Sequence, residues 1–227
     1  MVYHESTVGA GLPVISTLKD LTATGDEVTR IEGVFSGTLS FLFNTFAPAS
    51  GSSSAKWSEV VSQAKELGYT EPDPRDDLNG MDVARKLTIL ARIAGLEVQA
   101  PDSFPIESLI PSELASLPSS AEGIKEFMTR LPEFDGQMAA IKEGAEKAGK
   151  VVRYVGSIDV GKKEVRVGLQ QFDKDSAIAG LKGSDNIISF YTRRYGSNPL
   201  IVQGAGAGGD VTAMGVTADL IKVVQRL

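Results

Sequence analysis

"VVRYVGSIDVGKKEVRVGLQQF", residues 151–172, decides the class of fold. Apolar and polar side chains alternate on both sides of Gly161-Lys162-Lys163, the pattern of two strands folded back on each other. A turn this short makes the pair antiparallel, because parallel neighbours need a crossover of a dozen residues or more. Working outward, "NIISFYTRR" (186–194) and "PLIVQG" (199–204) read as further strands, and "EVTRIEGVFSG" (27–37) alternates like one. The remaining periodic segments have helical spacing. They are 13–22, "TLSFLFNTFAP" (38–48, stopped before Pro48), "WSEVVSQAKELG" (57–68, closed by Gly68), "MDVARKLTILARIAG" (81–95), "PEFDGQMAAIKEGAEKAGK" (132–150) and a closing helix over 210–227. "SGSSSAK" (50–56) reads as a flexible surface loop. Residues 96–120 carry Pro101, Pro105, Pro111 and Pro118 and are expected to be extended or looped. Helices beside antiparallel strands give an α+β fold with a mixed or antiparallel sheet.

Composition narrows the function. The 227 residues are 42% apolar and 23% charged, ordinary globular values. A net charge of −6 leaves no basic stripe for neutralising phosphates, so nucleic acid is not an expected partner. No cysteine is present, which excludes disulfides and thiolate metal sites, and a single histidine, His4, rules against a multi-histidine centre. No apolar run approaches the ~18 residues of a membrane span and no signal peptide opens the chain, so a cytoplasmic protein is expected. The chain begins almost inside an element at "MVYHESTVGAGLP", which implies that a segment upstream has been removed and that Met1 is not a native start.

"GAGAGG" (204–209) follows a strand, opens a helix and fits G-x-G-x-x-G at Gly204, Gly206 and Gly209. A dinucleotide-binding unit also needs a second parallel strand and an acidic residue about 20 positions on. The chain ends before either, so the glycines are better read as allowing close backbone approach. "TVGAGLP" (7–13) carries a second Gly-Ala-Gly turn before a helix, and the two turns are expected to face one site.

"TEPDPRDDLNGMDVARK" (70–86) puts five carboxylates and three cations into seventeen positions. Asn79 is a candidate N-cap that Asp82 would complete as a capping box, and Asp82 and Lys86 form a helix-supporting i, i+4 pair. The helix carrying them is apolar at 83, 87, 90 and 94 and also at 89, 91 and 93, so the pair is expected at the mouth of a cleft. A proline-stiffened loop holds Glu71, Asp73, Asp76 and Asp77. Several carboxylates and one lysine suit a small zwitterionic substrate, with the lysine exchanging a proton. Divalent-metal binding is a rival reading, and a non-catalytic, dimerising amino-acid-binding module is another.

"HESTVGAGLP" (4–13), "IEGVFSGTLSF" (31–41), "LGYTEPDPRDDLNGMDVARK" (67–86), "LKGSDNIISF" (181–190) and "QGAGAGGDVTAMGV" (203–216) together resemble the catalytic and dimerisation region of homoserine dehydrogenases, fungal members above all. The resemblance runs nearly end to end, without the family's N-terminal Rossmann domain. It implies NAD(P)-dependent interconversion of L-homoserine and L-aspartate 4-semialdehyde, by a homodimer paired through the strands around 151–203. By match, Lys86 is the acid/base. Glu71 and Asp82 bind substrate, with Asp77, Tyr69 and Thr38 around them. Gly68 and Gly208 approach the cofactor. A monovalent cation, sodium by its suitability to neutral carbonyls, would be held by Glu5 and the carbonyls of Val8, Ala10 and Leu12.

Overall fold

The computed structural model describes residues 2–51 and 53–226. Five strands form one antiparallel sheet in the order β3-β2-β1-β4-β5. They are β1 (Val28–Val34), β2 (Lys150–Asp159), β3 (Glu164–Asp173), β4 (Asp185–Thr192) and β5 (Leu200–Ala205). The 151–172 hairpin closes in unbroken register from Lys150↔Asp173 to Asp159↔Glu164. β1 lies at the centre, pairing β2 on one side and β4 on the other.

The helices are α1 (Val14–Ala23), α2 (Gly37–Phe46), α3 (Trp57–Glu66), α4 (Arg75–Leu78), α5 (Met81–Ile93), α6 (Ala121–Arg130), α7 (Asp135–Lys147) and α8 (Gly209–Val224). α2, α3 and α5 pack their apolar faces with Ile31, Val152, Tyr154, Ile158 and Ile188 of the sheet in one large core. A smaller cluster on Val34, Val155 and Ile187 is covered by Ile178 and Leu181 from the segment between β3 and β4.

Several boundaries differ from the sequence expectation. The helix expected over 132–150 begins only at Asp135, after a 3-10 turn at Leu131–Phe134, and stops at Lys147 because Lys150 already belongs to β2. α6 joins the expected set. Its signals are a Ser120 N-cap, whose hydroxyl accepts from the Gly123 N–H, and apolar Ile124, Phe127 and Met128 at helical spacing. The 96–120 segment is largely irregular, and Ile106 bridges to Val167 at the outer side of β3.

Two contacts fix where α5 sits. Leu87 lies against Gly156 of β2, where a Cβ would come within 2.7 Å of its side chain. Gly80, at φ +76, rests on the Tyr154 hydroxyl, 2.1 Å from where a Cβ would be. Only glycine meets both demands at position 80, the left-handed backbone and the missing side chain. Tyr154 in turn donates to the Glu107 carbonyl at 2.6 Å.

Candidate active site

β1 leaves the centre of the sheet at Phe35, and Ser36 then caps α2, its hydroxyl accepting from the Leu39 N–H at 3.2 Å. The Phe35 carbonyl is thereby left at the edge of a cleft of about 920 Å³ between α2, the 68–82 loop, α5 and the 206–208 turn. Lys86 reaches into this cleft and donates to the Phe35 carbonyl at 2.7 Å and to the Asp82 carboxylate at 2.8 Å. Its side chain is 18% exposed against 51% for Asp82, so the lysine lies deeper than its partner.

The crowded carboxylates divide into two groups. Asp73 turns away to a paired, buried Arg75, with Nη2 to Oδ2 at 2.6 Å and Nε to Oδ1 at 2.9 Å. Arg75 also donates to the carbonyls of Leu117 and Pro118, tying the loop to the segment before α6. The hydrogen bonds from Arg75 hold the Asp73 carboxyl below its usual range. This pair is structural, and no local sequence pattern pointed to it. Glu71, Asp76, Asp77 and Asp82 line the cleft. The Glu71 N–H donates to Asp77 at 2.8 Å. Burial first, then the neighbouring charges of Glu71 and Asp82, push the Asp77 carboxyl up.

The capping expectation needs correction. Gly80 is the N-cap of α5, and Asn79 closes α4 while its side chain accepts from the Met81 N–H at 2.8 Å. Asp82 forms no box with Asn79, because its carboxylate goes to Lys86. Asp82 therefore turns toward the cleft instead of back over its own helix end.

Thr38, at the start of α2, donates to the Tyr69 carbonyl at 2.7 Å, and the Tyr69 ring lies 4.8 Å from that of Phe41. Gly68, at φ +73, ends α3 as expected and lines the cleft. Across it runs the turn Gly206-Ala207-Gly208 leading into α8. Lys86, Glu71, Asp77, Asp82, Tyr69, Thr38, Gly68 and Gly208 thus all line one cleft. Ser36 and Ser184 line it too. No local pattern pointed to these two, since they arrive from the centre of the sheet and from the start of β4.

The second Gly-Ala-Gly turn is elsewhere, contrary to expectation. Gly9 and Ala10, both at positive φ, lead the loop onto α8. A Cβ on Gly11 would come within 2.3 Å of the Val211 carbonyl, and one on Gly215 within 2.4 Å of the Ser6 hydroxyl. These small residues let backbone meet helix; they do not line the cleft. Glu5 is buried, and its carboxylate accepts from the N–H groups of Ile15 and Ser16 at the start of α1. Val8, Ala10 and Leu12 follow on the same loop. Among the described residues, no group of three or more acidic or histidine side chains converges as a divalent cation would require. No helix among them is long and apolar enough to cross a membrane.

The family model described as homoserine dehydrogenase matches residues 13–221. A protein of Emericella nidulans named homoserine dehydrogenase is 92% identical over 227 residues, all of this chain and 62% of that protein. A crystal structure of a Candida auris protein of unknown function superposes with a TM-score of 0.94 at 54% identity, covering 100% of this chain and 62% of that one. A hyperthermophilic archaeal homoserine dehydrogenase in complex with NADPH shares the fold, with a TM-score of 0.67 at 23% identity, over 98% of this chain and 55% of its own. The chain spans about three-fifths of the length of the fungal homoserine dehydrogenases it matches, 62% in the Emericella nidulans protein.

Proposed function

The chain belongs to the homoserine dehydrogenase family, and from that premise we propose that its acidic cleft is the substrate half of an NAD(P)-dependent oxidoreductase. The reaction interconverts L-homoserine and L-aspartate 4-semialdehyde in the biosynthesis of threonine, methionine and isoleucine. The observation that carries the proposal is Lys86, held between Asp82 and the Phe35 carbonyl with Glu71 and Asp77 facing the same space. An ammonium has three N–H bonds. Two are taken by these acceptors, so the third has one direction left, toward a bound substrate.

In this reading Glu71 and Asp82 grip the substrate ammonium by charge-assisted hydrogen bonds, and Asp77 holds the Glu71 backbone in place. Thr38 and Tyr69 form the wall beside them. In the oxidation Lys86 acts as the neutral amine, its two N–H bonds on Asp82 and the Phe35 carbonyl, and its lone pair takes the hydroxyl proton as C4 of homoserine loses hydride. In the reverse direction the ammonium so formed returns that proton to the aldehyde oxygen. The chain's work is positioning more than bond chemistry. Bound NAD(P) would supply the two-electron acceptor for the hydride.

The residues fit such a cofactor. Gly206 packs so tightly on Asn186 that a Cβ would lie 2.0 Å from its amide nitrogen, and Gly208 stands at φ +125. The turn therefore presents bare backbone to the cleft, as does Gly68 opposite. Asn186 beneath the turn is buried, and among the described residues both its side-chain polar atoms are unpartnered. The sheet is antiparallel throughout, so most of the nucleotide site would belong to a Rossmann domain beyond these residues. α8 supports this division, since Met214, Val216, Leu220, Ile221 and Val224 are all exposed on it. Two copies would pair through the strands of 151–203, where Arg166, Ile201 and Gln203 are exposed on the sheet face away from α5.

A sodium-like cation would be held by Glu5 with the carbonyls of Val8, Ala10 and Leu12. It would neutralise a buried carboxylate that forms no ion pair among the described residues. Melting temperature should then rise more in sodium chloride than in choline chloride at equal ionic strength. The difference should vanish in Glu5→Gln.

Lys86→Ala in the full-length protein tests the central assignment. Homoserine-dependent NAD(P) reduction should fall by about 10²–10⁴-fold in kcat, with circular dichroism unchanged. Near-normal turnover would remove Lys86 from the chemistry. A wild type that binds homoserine without oxidising it would identify a binding module instead.

A further inference from the structure

A second cavity, of about 460 Å³, lies behind α2 from the acidic cleft. Arg153 of β2, Asn44 of α2, and Lys174 and Lys182 from the segment between β3 and β4 contribute to its wall. Arg153 is only 2% exposed. Its guanidinium donates to the carbonyls of Ala47, Val152 and Ala179 at 2.8, 2.8 and 3.0 Å, and among the described residues it pairs with no carboxylate. Of the five N–H donors of a guanidinium, two therefore stay unused, and the buried Nε is one of them. Burial pulls the group down only to about 10, so it is a cation at neutral pH. A buried charge without a counter-charge is costly, and an anion on the open side would relieve it.

The rest of the wall has the same bias. Lys174 and Lys182 are exposed and form no ion pair among the described residues, and no acidic side chain lines the cavity. Asn44 donates through Nδ2 to the Ser40 hydroxyl and to the Gly183 carbonyl at 3.0 Å, which fixes the amide's orientation. That leaves its buried Oδ1 as an acceptor without a donor among the described residues. Three cations with no carboxylate call for a dianion. The spare acceptor calls for a ligand that also carries an O–H.

We propose that this cavity binds a phosphate group, free or as a small hydroxylated monoester, held by Arg153, Lys174 and Lys182 with a ligand hydroxyl donated to Asn44. Arg153 supplies the planar fork and the two lysines supply mobile charge. The site shares a wall with the acidic cleft. Phe41 lines the cavity while its ring touches Tyr69, and Gly183 precedes Ser184, which lines the cleft. The proposal does not depend on what the cleft catalyses.

Isothermal titration of the chain with inorganic phosphate and with glycerol 3-phosphate, at ionic strength fixed by chloride, tests it. Saturable binding of either is expected, and the stronger of the two tells free phosphate from ester. The exposed pair Lys174→Gln/Lys182→Gln should weaken binding at least fivefold with an unchanged melting temperature, and Arg153→Lys should weaken it further. Glu71→Gln, in the other cleft, should leave it alone. No saturable heat, or binding indifferent to the lysine pair, would overturn the proposal.

Discussion

Asp77 lines the cleft beside Glu71 and Asp82. Its carboxyl is held above the usual value by burial and by Glu71 and Asp82. A raised carboxyl keeps its proton in the folded chain at pH values where the unfolded chain has lost it. Stability from this group is therefore greatest at low pH and declines as pH rises through the raised value. At neutral pH the charged Asp77 opposes folding. Asp77→Asn should raise the melting temperature at pH 7 by about 1–2 °C, the shift expected for a fraction of a kcal/mol in a domain of this length. The gain should disappear below about pH 4, where the unfolded carboxyl is protonated too. Thermal scans across pH check this, and a variant that melts lower at pH 7 would refute it. The acidic stretch was visible as a cluster in the sequence, but the division of labour within it was not. Asp73 and Asp77 are near neighbours of one residue type, and only Arg75 and the cleft wall separate their roles.

At the scale of elements, α5 transmits sheet geometry to Lys86. Leu87, next to the lysine, sits where Gly156 leaves room on β2. Gly156→Ala would put a methyl 2.7 Å from Leu87 and lift the helix. Overpacking of this kind costs about 1–3 kcal/mol, and a misplacement of about 1 Å in a reacting group can cost 10²-fold in rate. The variant in the full-length protein should both melt lower and lose more kcat than homoserine affinity. Full activity with lowered stability would separate α5 placement from the chemistry. The helix itself was legible: Val83, Leu87 and Leu90 at helical spacing are all buried. Its cap was not, because Gly80 is chosen by Tyr154, 74 positions away in the chain.

For the whole molecule, an antiparallel sheet leaves no place for a dinucleotide fold among the described residues, and GAGAGG serves as a turn between β5 and α8. The 227-residue chain alone should therefore fold and bind homoserine yet show no homoserine-dependent NAD(P) reduction. Circular dichroism, calorimetry with homoserine and the spectrophotometric assay check the three parts. Sedimentation equilibrium of the same sample should give twice the monomer mass. Turnover by this chain alone would sink the proposed division of the cofactor site, and a monomer at all concentrations would sink the proposed pairing.

The sequence by itself determined the antiparallel hairpin, most of the helices, and the placing of the carboxylates and Lys86 on one loop-and-helix unit. Each is a matter of local periodicity or of neighbours within a few positions. Tertiary structure decided the partners. Lys86 finds the Phe35 carbonyl 51 positions back because β1 ends at the centre of the sheet. Gly9-Ala10-Gly11 meets α8 and not the cleft because the close approaches at Gly11 and Gly215 seat it there. Such pairings follow from strand order and packing, which a one-dimensional pattern does not contain, since the same alternation fits several sheets and only the buried contacts choose among them.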